Sequence, residues 1–356
     1  MRAKIRPDWA SIGALTLVLG LALYLFLHGG AGGLTDYAIF AGIYAVFTLG
    51  LNVHWGFTGL FNIGIAGFFA LGAYTAALLT IRPPMPAFED YKFGGDLASR
   101  IEVGDLWFVV ALLAAGAVCA IVALTIGYIT LRLRDDYLAI ATLGIAESVR
   151  LIFLNERWLA NGSRALYGIP RFLGDLVSPK NYDYVYLGVV IVILVILYIA
   201  VERVIKSPWG RVLKAIREDE VTTAASGKNV FSFKLQSFIL GAVIMGIGGA
   251  LYAHKVGSVA PVTFEPLLAT FVIWAMLMVG GSGNNRGAIL GAFVVWGIWT
   301  GTQELPGFLS DPYFRYVMIG LLIVVVILLR PGGILGEERR VSRRIEPSEG
   351  AALPQP

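Results

Sequence analysis

The chain has 356 residues, 57% hydrophobic (AVILMFWYC) and only 15% charged, with 28 Lys and Arg against 24 Asp and Glu for a formal net charge of +4. Soluble domains sit near 45–50% apolar and about 25% charged; counted the same way this chain is about 65% apolar, and with a mean hydropathy of +0.74 it has too little polar side chain to cover a globule in water. That excludes a soluble enzyme, a disordered chain and, with the single cysteine Cys119, a disulfide scaffold, while weak charge scattered between apolar runs gives no reason to expect a nucleic-acid partner.

A membrane pass needs roughly 20 apolar residues. Stretches free of Asp, Glu, Lys and Arg run 9–35, 37–81, 106–131, 184–201, 235–254, 266–285, 287–303 and 316–329. The second is long enough for two helices divided near His54, Trp55 and Gly56, and 137–155 makes a further helix although it contains Glu147 and Arg150. The pattern predicts an all-α polytopic membrane protein of about ten transmembrane helices, near 9–27, 36–54, 57–80, 106–131, 137–155, 184–201, 234–253, 266–280, 287–302 and 314–330. A cleaved signal is the alternative for the first span, because MRAKIRP (1–7) is basic and HGGAGG (28–33) supplies small residues after the apolar core.

With the N-terminus inside, seventeen Lys and Arg fall on cytoplasmic segments and eight on the opposite loops. Positive charge is retained on the cytoplasmic side, so both termini are expected there, as an even number of passes also requires. The expected layout is a cytoplasmic tail 1–8, a transmembrane domain 9–330 with outer loops 82–105 and 155–183, and a cytoplasmic tail 331–356. Helices two to five and seven to ten are candidate four-helix repeats of opposite orientation. GLFNIGIAGFFALGAYTA (59–76) and VGGSGNNRGAILGAFVVW (279–296) echo one another, each passing from a Gly-rich polar turn into an apolar helix.

The fifth helix carries Glu147 and Arg150 at i, i+3, roughly 15 Å beyond its inner boundary at 1.5 Å per residue. Charge at that depth marks either a pathway or gating site or a mutually satisfied packing pair. Asn52, His54, Asn62 and Gly64 around the second-to-third turn are further pathway candidates, as are Gly280 and Gly281 before the ninth helix; Asn284, Asn285 and Arg286 read as a solvated inner loop. His28, His54 and His254 lack neighbours at metal-ligand spacing, and Asn161-Gly162-Ser163 reads as a turn.

Between the sixth and seventh helices lies SPWGRVLKAIREDEVTTAASGKN (207–229). Ser207 suits an N-cap and Pro208 the first helical position, and Trp209, Val212, Leu213 and Ile216 recur at helical spacing. This predicts a short amphipathic helix at the inner face, its polar side presenting Arg211, Lys214, Arg217 and Glu218 to a protein partner or to anionic membrane lipids. The sole Gly-Lys pair, Gly227-Lys228, lacks the G-x-x-x-x-G-K-[ST] pattern of a phosphate-cradling loop. No ATP site, no other cofactor and no enzymatic constellation are therefore expected.

GRVLKAIREDEVTTAASGKNVFSFKLQSFILGAVIMGIGGALYAHKVGSVAP (210–261), LRLRDDYLAIATLGIAESVRLIF (131–153), GLFNIGIAGFFALGAYTAALL (59–79), MVGGSGNNRGAILGAF (278–293) and RPGGILG (330–336) together resemble the permeases of branched-chain amino acid ABC importers, specifically the M-type subunit. The blocks fall in family order and cover most of 36–336. The resemblance implies a type II ABC importer-like fold in the bacterial cytoplasmic (inner) membrane, translocating branched-chain or related apolar amino acids by alternating access. It implies as partners a second, homologous permease, two cytosolic ATPases and a periplasmic or lipid-anchored substrate-binding protein. On this resemblance 207–227 is a coupling helix docking on an ATPase through Trp209, Arg211, Leu213, Ile216, Arg217 and Glu218, and Ala224, Ala225 and Gly227 stand where the family carries its Glu-Ala-Ala…Gly signature. ANGSRALYGIPR (160–171) departs from the family's Gly- and Asn-rich outer segment, which keeps urea and short-amide permeases, close relatives, as alternatives. An ion-coupled secondary transporter using Glu147 is the other.

Overall fold

The computed structural model describes residues 9–81, 107–174, 177–178, 181–304, 307, 311–330 and 332–337. The expected outer loop 82–105, all of the expected tail 1–8 and most of the expected tail 331–356 lie outside them. Twelve α-helices are present among the described residues: α1 (Trp9–Leu51), α2 (Ile65–Thr80), α3 (Trp107–Thr130), α4 (Asp135–Asn155), α5 (Arg157–Ala160), α6 (Tyr182–Lys206), α7 (Pro208–Glu218), α8 (Glu220–Ala225), α9 (Val230–Val256), α10 (Pro266–Gly280), α11 (Asn285–Gly301) and α12 (Pro312–Leu329). Five stretches, Thr16–Phe57, Trp107–Thr130, Asp136–Asn155, Tyr182–Lys206 and Val230–Val256, are long and apolar enough to cross a membrane.

Helix α1, at 43 residues, would run about 65 Å if straight, twice a bilayer core. Its backbone leaves helical geometry at Gly30 (φ 62°, ψ −161°), a conformation open to glycine because it has no Cβ. There the chain doubles back. Leu21 and Tyr37, some 24 Å apart along a straight helix, both touch Gly297 of α11, at 2.9 and 3.3 Å from where its Cβ would stand.

Helix α9 is the centre of the bundle, packed against α1, α2 and α3, while α11 lies between α1 and α10. Between helices in lipid the hydrophobic effect adds little, so close backbone approach carries the packing. Gly72 of α2 shows it: a Cβ there would lie 2.1 Å from the Gly246 carbonyl oxygen of α9. Cys119 is free and fully buried at the α3–α9 contact, packed as a small apolar side chain.

Three expectations are corrected. The third span does not start as a helix at 57: α1 gives way to a π-helical turn, Asn52–Phe57, and α2 begins only at Ile65, because Gly59, Asn62 and Gly64 supply little helix propensity. The segment 207–227 is two helices, broken at Asp219, whose extended backbone (φ −156°, ψ 108°) ends α7 and whose carboxylate caps α8 by accepting from Thr222 N at 3.0 Å. The loop 155–183 holds α5, a 3₁₀ turn and a two-residue strand, β1 (Leu166–Tyr167), paired antiparallel with β2 (Ser258–Val259). Within it Asn161 is 3% exposed, left-handed (φ 62°), and donates from Nδ2 to the Ala165 carbonyl at 2.9 Å, a turn residue as expected.

Candidate functional site

The break between α1 and α2 leaves backbone polar groups unpaired, and in a bilayer irregular backbone persists only where protein satisfies it. Neighbouring helices do so here. Thr142 Oγ1 of α4 accepts from Ile63 N at 3.1 Å, Thr270 Oγ1 of α10 donates to Ile63 O at 3.1 Å, and Trp274 Nε1 donates to Asn62 O at 3.1 Å. Within the break, Asn62 Oδ1 accepts from Gly64 N at 2.7 Å, and Asn62 Nδ2 meets His54 Nδ1 at 3.1 Å. His54, fully buried, holds its other ring nitrogen 2.9 Å from Phe238 O of α9.

A second network joins this break to the turn before α11. Asn52 donates from Nδ2 to Asn285 Oδ1 at 2.9 Å and accepts at Oδ1 from Gly283 N at 2.9 Å. Asn285 Nδ2 then donates to Glu202 Oε2 at 2.7 Å, and Glu202 pairs with Lys206 at 2.6 Å. Asn285 is 2% exposed, so it is a buried link between α1, α6 and α11 rather than part of a solvated loop. Its neighbour Asn284 is the N-cap of α11, accepting from Arg286 N at 3.0 Å.

Helix α7 lies across the end of the bundle where both breaks meet. Leu213 and Ile216 are buried against it while Arg211 and Glu218 are exposed, the amphipathic division its sequence predicts. Trp209, half-buried, donates from Nε1 to Gln236 Oε1 of α9 at 2.8 Å. Arg217 reaches inward and donates from Nη1 to Gly56 O of the π-helical turn, beside Gly59 and Gly283. Lys214 and Arg217, expected to face a partner, are instead engaged within the chain by Glu337, at 2.7 Å each. Burial opposes the Glu337 charge, but hydrogen bonds from Lys214 and Arg217 outweigh it and hold the carboxyl below its ordinary range. A polar cavity of about 460 Å³ opens here, lined by Glu202, Arg211, Lys214, Arg217, Asn285 and Glu337 among others. On α8 and after it, Ala224, Ala225 and Gly227 (φ 81°) are exposed.

The structure thus brings Asn52, Asn62, Gly64 and Arg217 into one region, with Gly280 and Gly281 beside it. Gly280 O accepts from Leu335 N at 2.9 Å, and Gly281 takes φ 113° as α10 ends. Glu147 and Arg150 lie elsewhere, as an ion pair on α4 with a 2.9 Å bond from Arg150 Nε to Glu147 Oε2; their side chains remain 38% and 20% exposed. The π-helical turn just before the first segment of the sequence echo meets the Gly-rich turn of the second, since a Cβ on Gly56 would lie 2.5 Å from Gly283 N. Both helices that follow leave from the same end of the bundle, so the echo relates segments running the same way and lends no support to repeats of opposite orientation.

Sequence reasoning missed Thr142, Thr270 and Glu337, which lie far along the chain from the groups they bind, and Glu202, which pairs with nearby Lys206 but also meets the distant Asn285. It also missed Lys255, 9% exposed in its side chain, which bridges Asp36 at 2.8 Å and Asp183 at 2.9 Å at the opposite end. Among the described residues no group of three or more His, Cys, Asp or Glu is placed to hold a metal ion.

The model of the family described as branched-chain amino acid transport system / permease component matches residues 33–327. The chain is similar to the high-affinity branched-chain amino acid transport system permease protein LivM of Salmonella typhimurium, 31% identical with 85% of this chain and 70% of that protein covered. It is also similar to the probable branched-chain amino acid transport permease protein LivM of Methanocaldococcus jannaschii (28%; 83% and 91% covered) and to the fructose import permease protein FrcC of Rhizobium meliloti (29%; 53% and 54% covered). No solved structure matches the chain. A bundle that shelters broken helices in its interior, matched to that model over most of its length, belongs to the family of branched-chain amino acid transport system permease components.

Proposed function

We propose that the chain is the transmembrane subunit of an ATP-driven importer in the bacterial cytoplasmic membrane, moving branched-chain or related apolar amino acids by alternating access. The observation that carries the mechanism is the Arg217–Gly56 contact. Through it a short amphipathic rod on the surface grips the backbone just before a helix break, so force on α7 reaches the membrane interior as rigid-body movement. The likeness to LivM proteins over more than four-fifths of the chain, against half for the fructose permease, favours amino acids over sugars.

In this reading the α7 end faces the cytoplasm, as the distribution of Lys and Arg favours, and the chain makes ten passes with α1 counted as two. Separate ATPases push on α7 and α8, with Ala224, Ala225 and Gly227 in the docking surface, and a substrate-binding protein delivers solute to 155–183. A second, related permease covers α4. The partly exposed Glu147–Arg150 pair supports this, because charge at membrane depth is costly against lipid and is accepted against protein or a water-filled pathway. Glu147 has both carboxylate oxygens on Arg150, which disfavours it as an ion-coupling site.

The test is reconstitution of the permease pair with its ATPases and binding protein. Trp209→Ala and Gly227→Asp are each expected to abolish substrate-stimulated ATP hydrolysis while the complex still assembles. Normal stimulation in both would remove α7 and α8 from the mechanism, and solute uptake by this chain alone under an ion gradient would overturn the importer reading.

A further inference from the structure

After α12 the chain turns back under the bundle. Ile334 N donates to Val279 O and Leu335 N to Gly280 O, each at 2.9 Å, and Asn284 Nδ2 donates to Gly336 O at 3.1 Å. These bonds fasten 332–336 along the end of α10 and the turn into α11, which leaves Glu337 beside α7. Its two oxygens then divide: Oε1 accepts from Lys214 Nζ and Oε2 from Arg217 Nη2, both at 2.7 Å. Lys214 and Arg217 stand one turn apart on α7, so the carboxylate holds the helix at two points along its axis. Arg217 spends another nitrogen on Gly56 O.

One carboxylate and one guanidinium therefore tie together three elements that share no sequence neighbourhood: α7, the π-helical turn before the break, and the α10–α11 turn. Without those charged anchors an 11-residue helix held by its apolar stripe, Leu213 and Ile216, and by the single Trp209–Gln236 bond would be freer to roll when pushed. Charge-assisted hydrogen bonds at two adjacent turns oppose rolling, and they are stronger than neutral ones.

We propose that Glu337 is a positioning residue for coupling: with the 332–336 strap it locks α7 to the α10–α11 turn. Displacement of α7 is then delivered both to the helix break, through Arg217 and Gly56, and to α11, through the strap. The inference rests on the reading of α7 as the element driven by the ATPases. Without the lock, part of each α7 movement is lost as rolling, and ATP is hydrolysed with less solute moved.

The experiment measures solute imported per ATP hydrolysed by the complete complex in proteoliposomes. Glu337→Ala is expected to lower that ratio about fivefold or more, and the isosteric Glu337→Gln gives the same readout should the alanine variant fail to assemble. Lys214→Cys combined with Glu337→Cys should likewise be uncoupled, and joining the two thiols with a short bismaleimide after assembly should restore the ratio. A role limited to folding would show no such rescue. The one native thiol, Cys119, is buried and out of the reagent's reach. A wild-type ratio in Glu337→Ala and Glu337→Gln, or a cross-linked pair that stays uncoupled, overturns the proposal. If Trp209→Ala and Gly227→Asp also leave ATP stimulation normal, the α7 reading itself has failed; if they abolish it while the Glu337 variants couple normally, only the lock has.

Discussion

Asn52 and Asn285, 233 positions apart in the chain, share a buried 2.9 Å hydrogen bond. The bond joins the end of one broken helix to the start of another. An amide buried in this way is more costly to leave unpaired than it is favourable to pair. Asn285→Leu strands Asn52 Nδ2 and withdraws a donor from Glu202, and should cost about 1–3 kcal/mol. Thermal unfolding of the detergent-solubilised chain checks this. A melting temperature no lower than that of Asn229→Ala, which removes only the exposed cap of α9, would show that the link is idle.

Gly72 and Gly144 separate two uses of glycine. Gly72 faces the Gly246 carbonyl at 2.1 Å from a would-be Cβ, whereas Gly144, exposed on α4, has nothing within 4 Å. Gly72→Leu should force α2 and α9 apart at a cost at or above the ~1–3 kcal/mol typical of overpacking, and leave little folded protein in the membrane. Gly144→Leu should fold normally and, on the proposal that a second permease covers α4, lose affinity for it, read as co-purification of the two chains. Undiminished co-purification would move the partner's surface off α4.

Lys255 holds two carboxylates from α1 and α6 together at the end opposite α7. Lys255→Met leaves Asp36 and Asp183 facing each other. Removing one partner of a fully buried pair costs about 3–5 kcal/mol. Asp36 and Asp183 are 50% and 48% exposed, and solvent screening should bring the loss to about 1–2 kcal/mol. The check is a denaturation midpoint, with the deficit shrinking in high salt; one that is indifferent to salt would count against an electrostatic clasp.

The Glu337 carboxyl, held below its ordinary range by Lys214 and Arg217, carries a pH signature. A group whose folded pKa is depressed contributes stability that is complete above its unfolded pKa, about 4.3 for Glu, and is lost as pH falls through the folded value. The difference in melting temperature between wild type and Glu337→Gln should therefore be constant from pH 7 to about 5 and begin to narrow as pH falls below about 4. A difference that stays flat from pH 5 to pH 3 would mean the carboxylate is not what binds α7.

Most of the helical body was legible in the chain, because apolar runs of bilayer length have few other solutions. The amphipathic α7 was visible for a related reason: Leu213 and Ile216 recur at helical spacing between charged neighbours. What failed was local. The start of α2 was placed too early, since apolar Leu60 and Phe61 mask a segment whose Gly and Asn residues break the helix. Asn285 was taken for a loop residue because a polar pair beside Arg286 looks solvated. Lys214 and Arg217 were offered to a partner because nothing near 214 or 217 in sequence announces Glu337, more than a hundred positions away.

By itself the sequence determined that this is a helical membrane protein with a surface-lying amphipathic segment and a set of family-specific blocks, because hydrophobicity and helical period are properties of neighbouring residues. Only the tertiary structure decided which buried amides bond to which, that the π-helical turn at the end of α1 meets the turn into α11 at one end of the bundle, and that a carboxylate beyond the last helix clamps α7. A hydrogen bond or ion pair acts over about 3 Å, and which distant residues come that close is set by how the helices pack.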